Sequence, residues 1–498
     1  MRSPLAVLGL FLMAIPLSST SLFARTPAPG DSEEGQLEYR AQAQDTILAS
    51  DYSYANYSAL YAGYGNQRVA ITDEHCCSCG SCECCCDEGL LPCFKKDACG
   101  FFLDGWVSGG VLSNDCPPLT TSAPAGPLSL NDGANNAQLN QVYLTLGREA
   151  IRGHRMSVGG RVDLLYGADY LYTSALGLEV FNYNDSGQPV ETVYAAKPRW
   201  NRNGRGGFPE YGLAMPQAYG EVYLPFLAGT SIKLGHMYSP VGYESVMTPS
   251  NFFYTHTYSM LYGEPQTVTG VMVDQKLNNN WSLLAGFTEG WNIWDDPNDE
   301  LNITGGVKWQ NDSRTSSVAL TVMTGDEQVE TNGRTTNYSL IYQQKLNPVL
   351  TWVFQHDLGV AENGAYEILS DQSIRRLNGN WYSIVNYLYW QVTDTVALGG
   401  RFEWFQDRNH SRVVSQAVHT DIGLPGYGYG FTGKNYFDLS LGLNWKPTNW
   451  ITIRPEVRYD WSDVEYAFDN GEVILPGAYD NYTKKDLFTV GGDMIVRF

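Results

Sequence analysis

FDLSLGLNWKPTNWITIRPEVRYDW, residues 437–461, decides the fold. From Phe437 to Trp445 the odd positions are Phe437, Leu439, Leu441, Leu443 and Trp445, and the even ones Asp438, Ser440, Gly442 and Asn444. After a turn at Lys446-Pro447-Thr448-Asn449 the alternation resumes. Ile451, Ile453, Pro455, Val457, Tyr459 and Trp461 share one face, and Thr452, Arg454, Glu456, Arg458 and Asp460 the other. A period of two on both sides of a turn is a β-hairpin with one greasy face and one charged face. The pattern recurs down the chain, and no long helical segment is available to cover the greasy side. A closed antiparallel transmembrane β-barrel solves this, with lipid outside and water inside. The segment ending at Phe498 fits: Phe488, Val490, Met494, Val496 and Phe498 share a face, interrupted by Gly492.

Sixteen strands are expected, over 101–111, 138–149, 155–167, 217–227, 230–238, 266–277, 281–291, 300–310, 315–324, 334–346, 349–358, 379–391, 395–406, 434–446, 450–462 and 485–498. The connections alternate short and long. The short ones, such as Ala228-Gly229, Asn278-Asn279-Asn280 and Asn347-Pro348, are turn formers. Such parity suits an even barrel with both ends on one side, short turns in the periplasm and long loops outside.

Composition agrees. The chain has 498 residues with 33 Tyr, 13 Trp and 51 Gly, as aromatic girdles and tight turns require. Mean hydropathy is slightly negative because a barrel strand is apolar only at alternate positions. The net charge of −21 excludes the basic footprint of a nucleic-acid binder and favours cations in a channel or its loops. Trp106, Trp281, Trp309, Trp352, Trp381, Trp390, Trp404, Trp445, Trp450 and Trp461 read mostly as girdle residues.

Upstream of the barrel, residues 1–24 read as a secretory signal, with Arg2, an apolar run from Leu5 to Leu17 and small residues. Residues 25–75 read as a periplasmic tail, with a helix over Glu33–Ser50. Residues 76–100 are a Cys-rich periplasmic segment. Cys76, Cys77, Cys79, Cys82, Cys84, Cys85, Cys86, Cys93 and Cys99, with Cys116, are disulfide candidates in an oxidising compartment. Adjacent cysteines cannot all reach good disulfide geometry with one another. A metal cluster using Cys79, Cys82 and His75 is the alternative, although four-ligand zinc spacing is missing. Attachment to a periplasmic or surface partner is a third use.

Within the barrel, 101–498, the inward candidates for a lining are Arg161 and Asp163, Arg401 and Glu403, and Arg454, Glu456, Arg458 and Asp460. Opposite charges across a lumen would set up a transverse field that sorts solutes by charge and size. For any single residue, the preferred reading is wetted barrel wall, paired to hold it rigid. The loop from Ser239 to Pro265 is the constriction candidate, with Glu244 and Glu264 near its ends; the alternative is that it packs over the barrel mouth or against a neighbouring subunit. The loop's Phe252, Phe253, Tyr254, Tyr258, Met260, Leu261 and Tyr262 call for burial. No catalytic motif appears: there is no G-x-S-x-G, H-E-x-x-H, P-loop or dinucleotide glycine pattern. No cofactor is expected. The acidic run Asp295 to Glu300 carries oxygen ligands suited to Ca²⁺ but lacks EF-hand spacing and reads first as a solvated outer loop.

Residues 209–270 resemble the middle segment of the β-barrel porin-2 family of outer-membrane proteins. The likeness is carried by Pro216, Gln217, Ala218, Tyr219, Glu221, Lys233, Gly235, Gly242, Tyr243, Glu244, Pro249, Asn251, Phe252, Tyr254, Ser259, Pro265 and Gly270. The Cys cluster resembles an N-terminal feature of some planctomycete-like members. The resemblance implies a bacterial outer-membrane, multi-pass barrel and no catalytic residues. The expected role is a passive, cation-preferring porin for small hydrophilic solutes, contacting lipid and assembling as a homo-oligomer, a trimer first. The alternative is a structural or surface-associated plugged barrel anchored through its Cys-rich segment.

Overall fold

In the computed structural model, the residues described are 100–114, 136–180, 200, 210–295, 300–327, 333–368, 374–409, 411–413, 434–463, 467–468 and 485–498. The expected helix at 33–50, His75 and all ten cysteines lie outside them.

Sixteen antiparallel strands form one closed ring. They are β1 (Phe101–Asn114), β2 (Ala137–Arg148), β3 (Ser157–Gly167), β4 (Gly212–Leu224), β5 (Thr230–Tyr238), β6 (Thr267–Lys276), β7 (Trp281–Thr288) and β8 (Asn302–Gln310). The second half is β9 (Ser316–Asp326), β10 (Arg334–Asn347), β11 (Leu350–Ile368), β12 (Ile374–Thr393), β13 (Val396–Asp407), β14 (Lys434–Thr448), β15 (Ile451–Ser462) and β16 (Asp486–Arg497). Each strand pairs with its sequence neighbours, and β1 closes on β16 from Trp106↔Arg497 to Asn114↔Thr489. The Phe498 amide adds a hydrogen bond to the Gly105 carbonyl at 3.0 Å. Closure leaves no unpaired edge, which is what a strand protein in lipid requires.

Polarity is inside out, as the hairpin at 437–461 demands. Leu441 is 55% exposed and Trp445 45%, whereas Asp438 is fully buried and Arg458 is 1% exposed. Lipid is the solvent for the first pair, and a charge on that face near the midplane would cost about 2–4 kcal/mol. Part of the outer face is an aromatic band. Tyr338, His356 and Tyr382 join by hydrogen bonds of 3.1 and 2.9 Å, Tyr382 packs on Trp404, and Phe437 stacks on Trp461.

Two girdle assignments are corrected. Trp106 points inward, stacked on Tyr143 at 4.0 Å, with its Nε1–H donating to Gln141. Trp381 also points inward and donates to the Gly263 carbonyl at 3.1 Å. Both sit at inward alternation positions with a hydrogen-bond acceptor in reach, and a buried indole N–H needs one.

The largest boundary shifts are at β4 and at the β11–β12 pair. β4 begins at Gly212, before Pro216, because the chain carries a bulge there: Asp163 pairs with Gln217 but Leu165 with Ala214. β11 and β12 run on through a second pairing block, Ala365↔Leu377 to Ile368↔Ile374, past an irregularity.

Candidate functional site

The segment 239–266 leaves β5 and returns into β6. Its backbone meets side chains of β13 and β15 and its Phe253 ring lies over Gly442 of β14, about eight strands away on a ring of sixteen. Sixteen strands about 4.8 Å apart and tilted by about 40° make a ring roughly 30 Å across. The loop therefore crosses the lumen. Two short helical turns, Thr248–Ser250 and Ser259–Gly263, shape it. The Asn251 side chain ties the first, accepting from the Ser245 amide at 2.9 Å.

An irregular backbone taken out of water must find partners for its amides and carbonyls. The inward side chains of the far wall supply them. Glu456 accepts from the amides of Tyr254 and Thr255 at 2.7 and 3.0 Å. Glu403 accepts from those of Tyr258 and Ser259 at 2.6 and 2.8 Å. Arg454 donates to the carbonyls of Thr248, Asn251 and Phe253 at 3.1, 2.7 and 3.0 Å. Arg401 donates to the Thr255 carbonyl at 2.7 Å and Arg458 to that of His256 at 2.5 Å. Carboxylates take the N–H groups and guanidiniums take the C=O groups, all of them charge-assisted bonds.

Each guanidinium is also fixed from the wall. Arg454 grips Asp493 with two bonds of 2.7 Å, Arg401 bonds Asp438 at 2.6 Å, and Arg458 bonds Asp460 at 2.7 Å. The β15 contribution follows from alternation, since 454, 456, 458 and 460 all face inward. Asp460 in turn accepts from the Tyr258 hydroxyl at 2.8 Å.

Two loop carboxyls differ. Glu244 accepts from Arg401 and the Tyr387 hydroxyl, both at 3.1 Å, and from the Thr257 amide at 3.0 Å, with His256 Nδ1 3.1 Å away. Burial alone would raise its pKa, but the Arg401 charge and His256 overcome that and hold it at about 2. Glu264 has no such cation. Burial, then the Asp357 carboxyl beside it, push it well above the usual range.

Apolar packing completes the seat. Val241, Tyr243, Phe252 and Phe253 of the loop join wall residues including Met272, Met323 and Tyr389 in one cluster. Tyr258 and Tyr262 join Trp381 and Phe405 in a second, and Val246 and Met260 join Trp106, Tyr143 and Tyr238 in a third. Gly399 and Gly442 pair across β13 and β14 and form a dimple under Phe252 and Phe253. A Cβ at Gly399 would collide with the Phe252 ring.

Of the ten lining candidates, Glu244, Glu264, Arg401, Glu403, Arg454, Glu456, Arg458 and Asp460 thus belong to the loop or to the wall that holds it, and all are buried. They hold the loop's groups rather than facing open water. Arg161 and Asp163 lie on β3, where Arg161 Nη2 approaches the loop's Met247 Sδ at 3.9 Å. Arg161 Nε bonds Asp163 at 2.7 Å, and buried Asp163 also accepts from Tyr143 and Gln217 at 2.5 and 2.7 Å. The Arg161 side chain stays 22% exposed. Sequence reading passed over Asp438, Asp493, Tyr387, Gln355 and Asp357. The alternation that marks Arg401 and Arg454 would also have marked Asp438 and Asp493. Of the acidic run proposed for Ca²⁺, 296–299 lie outside the described residues.

Residues 100–498 match the family described as "Putative beta-barrel porin-2, OmpL-like". No curated protein matches the sequence. Similar solved structures include the outer-membrane channel DcaP of Acinetobacter baumannii, at 11% identity and TM-score 0.46, covering 81% of this chain and 99% of that one. OmpT of Vibrio cholerae, folded in vitro, gives 8% and 0.47, with 80% and 97% covered. OprB of Pseudomonas putida gives 10% and 0.45, with 80% and 94% covered.

Proposed function

The chain belongs to the beta-barrel porin-2 family of the outer membrane, and from that premise we propose that it is a passive diffusion channel for small hydrophilic solutes, narrowed by the 239–266 loop and preferring cations. A porin family makes it a transport protein, not an enzyme. The carrying observation is where the loop is held. It is clamped to the wall opposite its own strands, while inward-facing Arg161 on β3 and Glu221 on β4 keep 22% and 13% side-chain exposure. Solutes would pass along that wetted strip.

Charge supports the cation preference. The whole chain carries −21. An excess of fixed negative charge beside a narrow aqueous path draws cations.

The remaining organisation belongs to the same reading: a secretory signal at 1–24, a periplasmic tail at 25–75, a disulfide-bearing segment at 76–100 and a homotrimeric barrel. The second reading is a plugged barrel with a structural role, anchored through its cysteines. It is favoured by the three apolar clusters, each of which takes residues from the loop.

Planar bilayers separate the two. The channel reading expects ion conductance without an energy source and a reversal potential on the cation-selective side. E244K and E403K should each shift that potential, because they put like charge beside Arg401 or withdraw the acceptor from two loop amides. Silent bilayers together with intermolecular disulfides on non-reducing gels would replace it with the plugged barrel.

A further inference from the structure

A second group of buried oxygens lies beyond the clamp. Glu264, at the end of the loop, and Asp357 on β11 both accept from one amide nitrogen, Gln355 Nε2, at 2.5 and 2.7 Å. Two carboxyls bridged by a single NH₂ stand within a few ångströms of each other. Among the described residues neither forms an ion pair with Lys or Arg, and both are at least nine-tenths buried. Burying two acids side by side without a cation is costly.

The neighbours are neutral oxygens. Ser339 on β10 is directly opposite Asp357, and Asn337, two residues away, shares its inward face. The Asp357 carboxyl lies against the Ser339 and Ser259 hydroxyls, while among the described residues Asn337 Oδ1 has no hydrogen-bond partner although Asn337 is 2% exposed. Buried acceptors are ordinarily paired, so an orphaned amide oxygen beside two buried acids without a cation calls for an occupant. Carboxylate, amide and hydroxyl oxygens without nitrogen or sulfur ligands are the donor set of a hard cation, and two acids suit a divalent one.

We propose that Glu264, Asp357, Asn337 and Ser339 form a Ca²⁺-class divalent cation site where the loop meets the β10–β11 wall. It would neutralise the two acids and fasten the loop's returning end, as the arginines fasten its middle. The site requires no conduction, so it stands or falls separately from the channel reading.

The test uses the full chain in detergent, stripped with chelator and titrated with Tb³⁺ in place of Ca²⁺. The Trp381 indole bonds Gly263, next to Glu264, and its ring lies over Gly359, the partner of Asn337. Tryptophan-sensitised Tb³⁺ emission should therefore appear and be competed away by Ca²⁺. Losing even an outer partner of a metal site costs on the order of tenfold in affinity. E264Q and D357N should each weaken binding by at least that factor, and N337A, which keeps both charges, should weaken it without unfolding the barrel. Heat-modifiable gel mobility reports folding for each variant. Absence of Ca²⁺-competed emission in the unaltered chain, or emission unchanged in folded N337A and D357N, would overturn the site.

Discussion

Arg454 shows how a single side chain can seat a loop. Its guanidinium spends one edge on Asp493 and turns Nη1 to three carbonyls of the 248–253 segment. Removing it leaves Asp493 buried and unpaired, and breaking a buried pair from one side costs about 3–5 kcal/mol. R454A should lower the unfolding midpoint in urea accordingly. R454K should recover little, because an ammonium cannot copy the planar fork. A midpoint shared by R454A and the unaltered protein would show that the contact carries no weight. Gly399 makes the complementary case by having no side chain. G399A should cost about 1–3 kcal/mol through overpacking against Phe252. Combining it with F252A should give a non-additive cycle, with G399A costing less in that background; strict additivity would mean the two do not touch.

At the scale of elements, β11 and β12 have 19 and 20 residues, where crossing a bilayer needs about 9–11. Their far ends form a second block beyond the irregularity at Ala361/Ala365. Joining Ala361 to Gly379 through an Asn-Gly turn should leave a barrel that still shows heat-modifiable mobility, whereas loss of that behaviour would make the extension part of the folding core. The strands themselves were legible. Period-two alternation recovers all sixteen, because lipid on one side and a polar interior on the other leave every strand the same constraint. Their ends were less legible. The expected strand starts at 217, just after Pro216, which β4 accommodates at a bulge, and the overhang of β11 and β12 lies outside the two-sided environment that writes the alternation. The clamp was half legible. Arg401, Glu403 and the β15 charges announce an inward face, and the aromatic loop announces a need for burial. That each finds the other depends on contacts spanning about two hundred residues of chain, such as Tyr254 with Glu456. Such contacts carry no local signal, nor does the dimple at Gly399, since a glycine in a strand can equally mark a bulge.

For the whole molecule, closure and filling are separate achievements. The ring closes by main-chain bonds between β1 and β16, and the loop then divides the interior by reaching the opposite wall. A wide barrel made only of strands would pass solutes with little discrimination. On the proposed channel reading, a loop clamped by fixed charges would set the width and the field together, so its anchors rather than its tip should govern conduction. The most direct measurement is single-channel conductance in planar bilayers of the full chain beside a variant with residues 245–259 replaced by a short Gly-Ser bridge. A small, cation-selective conductance in the first and a several-fold larger, weakly selective one in the second is the expected outcome. Equal conductance and selectivity in the two would contradict a loop lying across the lumen.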